Sequence, residues 1–593
     1  MTLEMVFVAA MIVLMLISLL FEVARADFLV FLFLVIFLLS GVITTEQALS
    51  GFSNEGMLTV LLLFIVAGAI QKHGIIENFI YRILGETKSM RGSMVKLLPP
   101  ISLVSAFLNN TPIVVTLTPI LRNWARNNGY APSKVLIPLS YATILGGTIT
   151  LIGTSTNLIV HGLLINAGVE GFSFFTLSVV GLPIAIVGLI YILTIGYKLL
   201  PDNLGAEDTI RKEAKEFLAE ARIQDSFEHI DETILTASRN SFEGVYIIEI
   251  IREDGGRVEP VGASTYIRKG DHIIFSASLN RIAIIEKLKG ISLETGTDKS
   301  LDVLQNENHH LVEAVISHNS SLVGKTIRDS EFRSTHDAGV IAVHRNNQRI
   351  NSRVGDIILK PGDTLLLLAD DEFVQRHQHS QDFYVVYTVN PPEQLKQNNL
   401  KGFLALGLLL VMILSVTLGF LSMFEAMLIA VILLVVTRLI NWREILNYIQ
   451  FDVLLLIASA FAIGAAMTAS GLAQFLAENM LAIAQPLGII GVVFIIYIAT
   501  NIFTELITNS AAAVLMFPIA FEMADQLNVD YMGFIVTIAV AASCSFITPI
   551  GYQTNLIVYG PGGYKFSDYI KIGAPLVLLT MVTTSIIVYI VWF

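Results

Sequence analysis

A single cysteine, Cys544, is all that this 593-residue chain carries. An intrachain disulfide and any multi-cysteine metal or iron–sulfur site are therefore excluded. Charge is scarce too: 15% of residues are Asp, Glu, Lys or Arg, against about 25% in soluble globular domains. With 54% hydrophobic residues, much of the surface has to face lipid rather than water. There is no strand–GxGxxG–helix unit, so dinucleotide binding is not supported. There is no His/Cys/Asp cluster and no nucleophile in a recognisable setting, which argues against an enzyme. A net charge of -12 argues against nucleic acid as a partner. It leaves an anionic cargo open, because local dipoles rather than net charge form a site inside a membrane. The apolar N-terminal stretch 1–21 lacks the basic region and small-residue cleavage site of a leader, and reads as a retained span.

What is present is hydrophobic length. A spanning helix needs about 20 apolar residues, and windows at 3–22, 28–43, 55–71, 135–167, 174–197, 402–420, 422–437, 451–468, 531–560 and 571–593 qualify or nearly so. Two further stretches, 97–121 and 486–519, are apolar but interrupted by polar residues and proline. Residues 201–396 differ in kind, holding most of the charge and alternating short β-type runs with turns. The expected layout is a membrane repeat over 1–200, a soluble insert, and a second membrane repeat over 401–593.

The two membrane parts repeat each other. Val60-Leu61-Leu62-Leu63-Phe64 resembles Val453-Leu454-Leu455-Leu456-Ile457, and Asn110 falls opposite Asn509. Thr156-Asn157-Leu158-Ile159-Val160 returns as Thr554-Asn555-Leu556-Ile557-Val558, and Gly181-Leu182-Pro183 as Gly573-Ala574-Pro575. The offset stays between 392 and 399. Basic residues set the orientation. The connection 72–96 carries Lys72, Arg82, Lys88, Arg91 and Lys96, whereas its counterpart 469–486 has no Lys or Arg. Equivalent loops then lie on opposite sides, which makes the repeat inverted. Threading on this rule puts 201–400 in the cytosol of a bacterial inner (plasma) membrane and both termini outside. It works only if 97–121 and 486–519 are re-entrant hairpins.

Irregular backbone at membrane depth is tolerated only where it is buried in protein or lines a watery cavity. Asn109-Asn110-Thr111-Pro112 and Thr508-Asn509-Ser510 lie midway along the two hairpins. Gly153-Thr154-Ser155-Thr156-Asn157 and Thr548-Pro549-Ile550-Gly551-Tyr552-Gln553-Thr554-Asn555 interrupt two long spans. Half-helix N-termini suit an anion, and freed carbonyls with Asn/Thr oxygens suit a hard cation such as Na⁺. None of the four motifs holds Lys or Arg, so an anion there has to be neutralised by dipoles and co-bound cations.

These paired motifs resemble the divalent anion:sodium symporter family, over both membrane parts. The resemblance implies substrate binding by Asn109, Asn110, Thr111, Thr508, Asn509 and Ser510. It implies sodium binding by Asn110, Gly153, Thr156, Asn157, Asn509, Gly551, Thr554 and Asn555. It also implies a homodimer in membrane lipid that works as an elevator. Asn109 and Thr508 replace the leading Ser of the family's Ser-Asn-Thr motifs, and Ser510 replaces the final Thr of the second. The Asn-Asn-Thr-Pro and Gly-Thr-Ser-Thr-Asn forms look more like the sulfate-type branch than the dicarboxylate branch.

Within the insert, 223–290 and 308–378 read as a tandem of small α/β modules between linkers 201–222 and 379–400. Both resemble the C-terminal ligand-sensing domain of K⁺-conductance regulators (RCK-C, TrkA-C), the second more fully through Ser321-Leu322-Val323-Gly324-Lys325-Thr326-Ile327. A small regulatory ligand, or a dimerising spacer without one, follows from that resemblance. The function expected is sodium-coupled import of a small divalent anion, sulfate first. An organic dicarboxylate such as succinate comes second, and an ion channel gated by the insert comes third.

Overall fold

The computed structural model describes residues 2–21, 23–72, 89–203 and 399–593 without a break, and 216–388 in sections. Residues 73–88 lie outside the described residues, and with them Arg82 and Lys88 of the topology-setting connection. Helices follow the apolar runs, because an unpaired peptide group in lipid costs several kcal/mol and a helix pairs its own. Among the described residues, six segments are long and apolar enough to cross a membrane: 45–70, 178–199, 451–469, 488–506, 509–527 and 566–592. Shorter apolar helices accompany them. The chain is a helical, multi-pass membrane protein.

Element order repeats between the two parts. Helices Glu55–Lys72, Met90–Ser105, Asn110–Asn127, Leu136–Gly147, Ser155–Asn166 and Ser178–Tyr191 correspond in sequence position to Phe451–Ala469, Gly488–Leu506, Asn509–Leu527, Tyr531–Ser543, Gln553–Tyr559 and Phe566–Trp592. Prolines run through these helices rather than ending them, with Pro119 and Pro518 at matching places. Pro183 and Pro575 form another such pair. The helices around the two polar tips are also longer than the interrupted stretches of sequence. They run Met90–Ser105 with Asn110–Asn127, and Gly488–Leu506 with Asn509–Leu527.

Among the described residues the insert holds two five-stranded antiparallel sheets. Strands β1 (Glu216–Ile223), β2 (Tyr246–Ile251), β3 (Arg257–Val258), β4 (His272–Ser278) and β5 (Ile291–Leu293) stand in the order β3-β2-β4-β1-β5. Strands β6 (His309–Ile316), β7 (Ala338–Arg345), β8 (Gln348–Arg349), β9 (Thr364–Asp370) and β10 (Phe383–Thr388) stand in the order β10-β6-β9-β7-β8. Read from the other edge, the two orders are the same. A buried aspartate marks each copy: Asp271 pairs with Arg252, and Asp363 with Arg345. Strand β1 lies mostly inside the segment read as the linker 201–222, and β10 lies inside 379–400. Both were hidden because Glu216 to Ile223 mixes charge into its alternation and β10 is separated from its sheet partner β6 by the rest of the module.

Candidate functional site: two polar tips and two helix breaks

The tips are built alike, atom for atom. Ser105 Oγ lies 2.6 Å from Asn110 Oδ1 and 2.9 Å from the Thr143 carbonyl. In the second part Thr504 Oγ1 lies 2.7 Å from Asn509 Oδ1 and 2.7 Å from the Ala542 carbonyl. All three pairs of positions are 399 apart. Each tip asparagine is thus the first residue of a long helix, with its amide oxygen accepting from a hydroxyl that also lies against a backbone carbonyl.

The breaks match in the same way. Asn157 Nδ2 donates to the Gly147 and Thr150 carbonyls at 3.1 and 2.9 Å. Asn555 Nδ2 donates to the Ser545 and Thr548 carbonyls at 3.0 and 3.2 Å. These are carbonyls that a continuous helix would have satisfied, so the asparagines pin the unwound segments open at little cost in unpaired backbone. Both breaks are also closely backed. A Cβ on Gly181 would collide with the Thr148 carbonyl, and one on Gly573 with the Phe546 carbonyl. Only glycine permits that approach.

Three buried tyrosines lock the helix Leu136–Gly147 and its neighbours to the second break. Tyr141 donates to the Phe546 carbonyl at 2.6 Å, Tyr564 to the Ser133 carbonyl at 2.6 Å, and Tyr569 to the Asn555 carbonyl at 2.7 Å. Ser140 Oγ lies 2.9 Å from Thr554 Oγ1 and 2.8 Å from Asn555 Oδ1.

Three of the four motifs meet at one atom. Asn110 Nδ2 donates to the Tyr552 hydroxyl at 2.7 Å, and Thr154 Oγ1 stands 3.4 Å from it. Tyr552 and Thr154 are the N-cap residues of the helices that follow the breaks, so the hydroxyl joins the starts of three helices. Thr111 Oγ1 and Gln553 Oε1 add a second contact between the parts, at 3.2 Å.

Of the residues singled out in the sequence, Asn110, Asn157, Thr554 and Asn555 are buried in this network and Asn509 is half-buried at its edge. Thr111 joins it through Gln553. Gly153, Thr156 and Gly551 are buried in the break segments. Asn109 is the half-buried N-cap of its helix, with no side-chain capping bond. Ser510 is buried one residue into the second tip helix. Thr508 is exposed, and its hydroxyl accepts from the Ala511 amide as a helix cap.

Ser105, Ser140, Thr154 and Thr504 join the network from outside that set, and two further residues carry its asymmetry. One is Tyr552 itself, whose first-part counterpart is Thr154. The other is Glu505, 8% exposed. Its Oε1 accepts from the Phe546 and Ile547 amides and its Oε2 from the Thr548 amide, all at 2.9 Å, with the Thr548 hydroxyl at 2.8 Å. The matching position in the first part is Ala106, where the Thr150 hydroxyl meets the backbone carbonyl instead. A carboxylate inside a membrane part is a functional signal by default. Glu505 carried that signal in the sequence, whereas Tyr552 looked like one aromatic among many.

The profile of the family described as "Citrate transporter" (CitMHS) matches residues 12–541. Over 569 residues the chain is 33% identical to a Chlamydomonas reinhardtii protein named "Putative sulfur deprivation response regulator", covering 95% of this chain and 97% of the relative. It is 26% identical to the Sodium/sulfate cotransporter 1 of the same alga, over 92% of this chain and 85% of that one. A shorter match, 30% over 26% of this chain and 29% of the relative, is to the Sodium-dependent dicarboxylate transporter SdcS of Staphylococcus saprophyticus. The chain belongs to the citrate transporter family, among the divalent anion:sodium symporters, and is a membrane transporter rather than an enzyme.

Proposed function

We propose that this protein is a sodium-coupled symporter that imports sulfate, or a similarly compact dianion, through the site formed by the two tips and two breaks. The observation that carries the reading is the convergence of Asn110 and Thr154 on the single Tyr552 hydroxyl. Donors that meet at one point suit a small tetrahedral oxyanion, whereas a four-carbon diacid needs two anchors set further apart. The relatives lean the same way. The sodium/sulfate cotransporter matches along nearly the whole chain, and the dicarboxylate transporter over about a quarter of it.

Charge balance supports sodium coupling. The four motifs contain no Lys or Arg. Each helix N-terminus contributes about half a positive charge, and the seven-residue helix Gln553–Tyr559 contributes less. Four such ends fall short of neutralising a dianion, and Glu505 adds a negative charge nearby. Sodium ions make up the difference. The oxygens of Ser105, Asn110 and Thr143 form one cation ligand set, and those of Thr504, Asn509 and Ala542 the other. Both are hard oxygen donors of the kind alkali and alkaline-earth ions prefer.

In this reading the two parts are an inverted repeat with re-entrant tips, moving as an elevator within a homodimer of the bacterial inner membrane. The insert 201–400 is cytosolic and regulatory, its modules resembling RCK-C domains, and both termini lie outside. Uptake of radiolabelled sulfate and succinate into proteoliposomes, with and without a sodium gradient, tests it. Sulfate uptake that requires sodium and exceeds succinate uptake is expected. A preference for succinate would move the cargo to dicarboxylates, and indifference to sodium would remove the coupling.

A further inference from the structure

The second soluble sheet is covered on both faces, and one cover is the transport site's own scaffold. Val312, Ala314, Ile316, Leu365, Leu367 and Ala369 point into the module's own core. Glu313, Val315 and Thr364 alternate with them and point the other way. Among them Val315 is fully buried in the same hydrophobic cluster as the membrane helices, and Tyr384 packs against that cluster. Glu313, two residues before Val315, meets Arg122 at 2.7 Å, with side-chain exposures of 2% and 0%. Strand β10 lies against the helix Asn110–Asn127 that carries Arg122. On the far side of the contact, a Cβ on Gly362 would come within 2.6 Å of Leu556, and the Thr364 side chain abuts Gly560.

The docked helices are the ones that begin at the site. Asn110–Asn127 starts at the first tip, and Arg122 lies twelve residues along it, about 18 Å at 1.5 Å per residue. Gln553–Tyr559 starts at the second break, with Leu556 directly after Asn555 and Gly560 at its end. A single sheet face therefore grips both helices, whose starts meet where Asn110 bonds Tyr552 and Thr111 bonds Gln553. The first module lacks this face. At the register positions of the Val315–Thr364 pair it has Arg222 and His272, and Arg222 is exposed.

We infer that the second module is a brake, clamping the first tip helix to the second break helix through the Arg122–Glu313 pair, and that transport speeds up when it lets go. This inference rests on the transport reading above. Breaking a buried ion pair strands a charge, so the clamp has two states, docked or released into water, rather than a graded range. A signal that favours the released module shifts the balance only by its differential affinity for that state.

A reversible cross-link tests the brake. The Thr364 Cβ lies 3.3 Å from where a Cβ on Gly560 would sit, near the spacing of about 3.8 Å found in disulfides. The only native thiol, Cys544, is buried. In the full-length Thr364→Cys/Gly560→Cys protein in proteoliposomes, oxidation is expected to form the disulfide and cut sulfate uptake at least tenfold. A reductant is expected to restore it. Failure to cross-link would overturn the docking, and unchanged uptake in the cross-linked protein would overturn the brake. Glu313→Gln is the complementary variant. It is expected to raise uptake about threefold and to speed amide hydrogen exchange over 110–127 while leaving 509–527 unchanged. Lower uptake with unaltered exchange would contradict the inference. If neither the native nor the reduced protein carries sulfate, the transport reading fails, and the exchange difference still decides whether the clamp exists.

Discussion

The first tip and break use Ser105, Asn110, Asn157 and a bare Ala106; the second use Thr504, Asn509, Asn555 and Glu505. The pins and the amide oxygens are common to both, and they fix the shape of each half-site. What differs is charge and bulk. The second part alone brings a carboxylate into its break, and alone caps the following helix with tyrosine instead of threonine. The same contrast recurs in the insert, where one copy presents Val315 to the membrane body and the other presents Arg222 to solvent. Each duplication keeps its skeleton and diverges where its copies meet something else.

Removing the asymmetric carboxylate should have the largest effect. Glu505→Ala leaves the amides of Phe546, Ile547 and Thr548 without their acceptor, at about 1–3 kcal/mol for each buried group left unpaired. Uptake is expected to fall more than a hundredfold with a clear loss of thermal stability. Glu505→Gln keeps an acceptor and removes the charge. It is expected to fold and to weaken sodium activation of uptake about tenfold. Unchanged sodium dependence in Glu505→Gln would make the carboxylate a structural anchor only.

The shared pins come next. Asn157→Ala and Asn555→Ala each lose two bonds to freed carbonyls. At about 1 kcal/mol for each bond lost, each variant should lose roughly ten- to hundredfold in uptake. Aspartate in either position keeps the oxygen and discards the donor. If Asn157→Asp or Asn555→Asp transports at the native rate, the pinning role is wrong and the oxygen alone matters.

A smaller, more specific change is expected at the centre. Tyr552→Phe removes the hydroxyl on which the first tip and the first break converge, and should shift half-saturation for sulfate by about three- to tenfold, the worth of about one hydrogen bond. Thr154→Val, whose contact with that hydroxyl is 3.4 Å, should change it less. Equal effects in concentration series on the two variants would argue against Tyr552 as the focus. Smallest of all is Arg222→Ala in the first module. An exposed substitution of this kind is worth within about 0.5 kcal/mol, and uptake should be unaltered, whereas Val315→Arg should release the second module and mimic Glu313→Gln.

Much of the membrane architecture was legible because polar residues are conspicuous inside apolar runs. Asn110, Asn509, Asn157 and Asn555 stand out for that reason, and their common offset pairs them. Thr508 illustrates the limit, since a hydroxyl at a helix start reads the same whether it caps the helix or lines a site. Tyr552 escaped because its importance comes from three segments converging, which no local pattern encodes. The pairing of Arg122 with Glu313 joins residues 191 positions apart, one read in sequence as lying in a loop that follows the first hairpin and one in the insert, and no local pattern links them. Strands β1 and β10 were missed for a related reason, as each owes its place to partners supplied from elsewhere in the module.

The central claim is that sodium drives sulfate through a site shared by the two parts. Its most direct test is to load proteoliposomes and bath with equal sulfate and impose an inward sodium gradient alone. Net accumulation of sulfate, abolished by Asn110→Ala and by Asn509→Ala in folded protein, is the result this account predicts. Sulfate that stays at equilibrium under the gradient, in a protein that exchanges it freely, would contradict it.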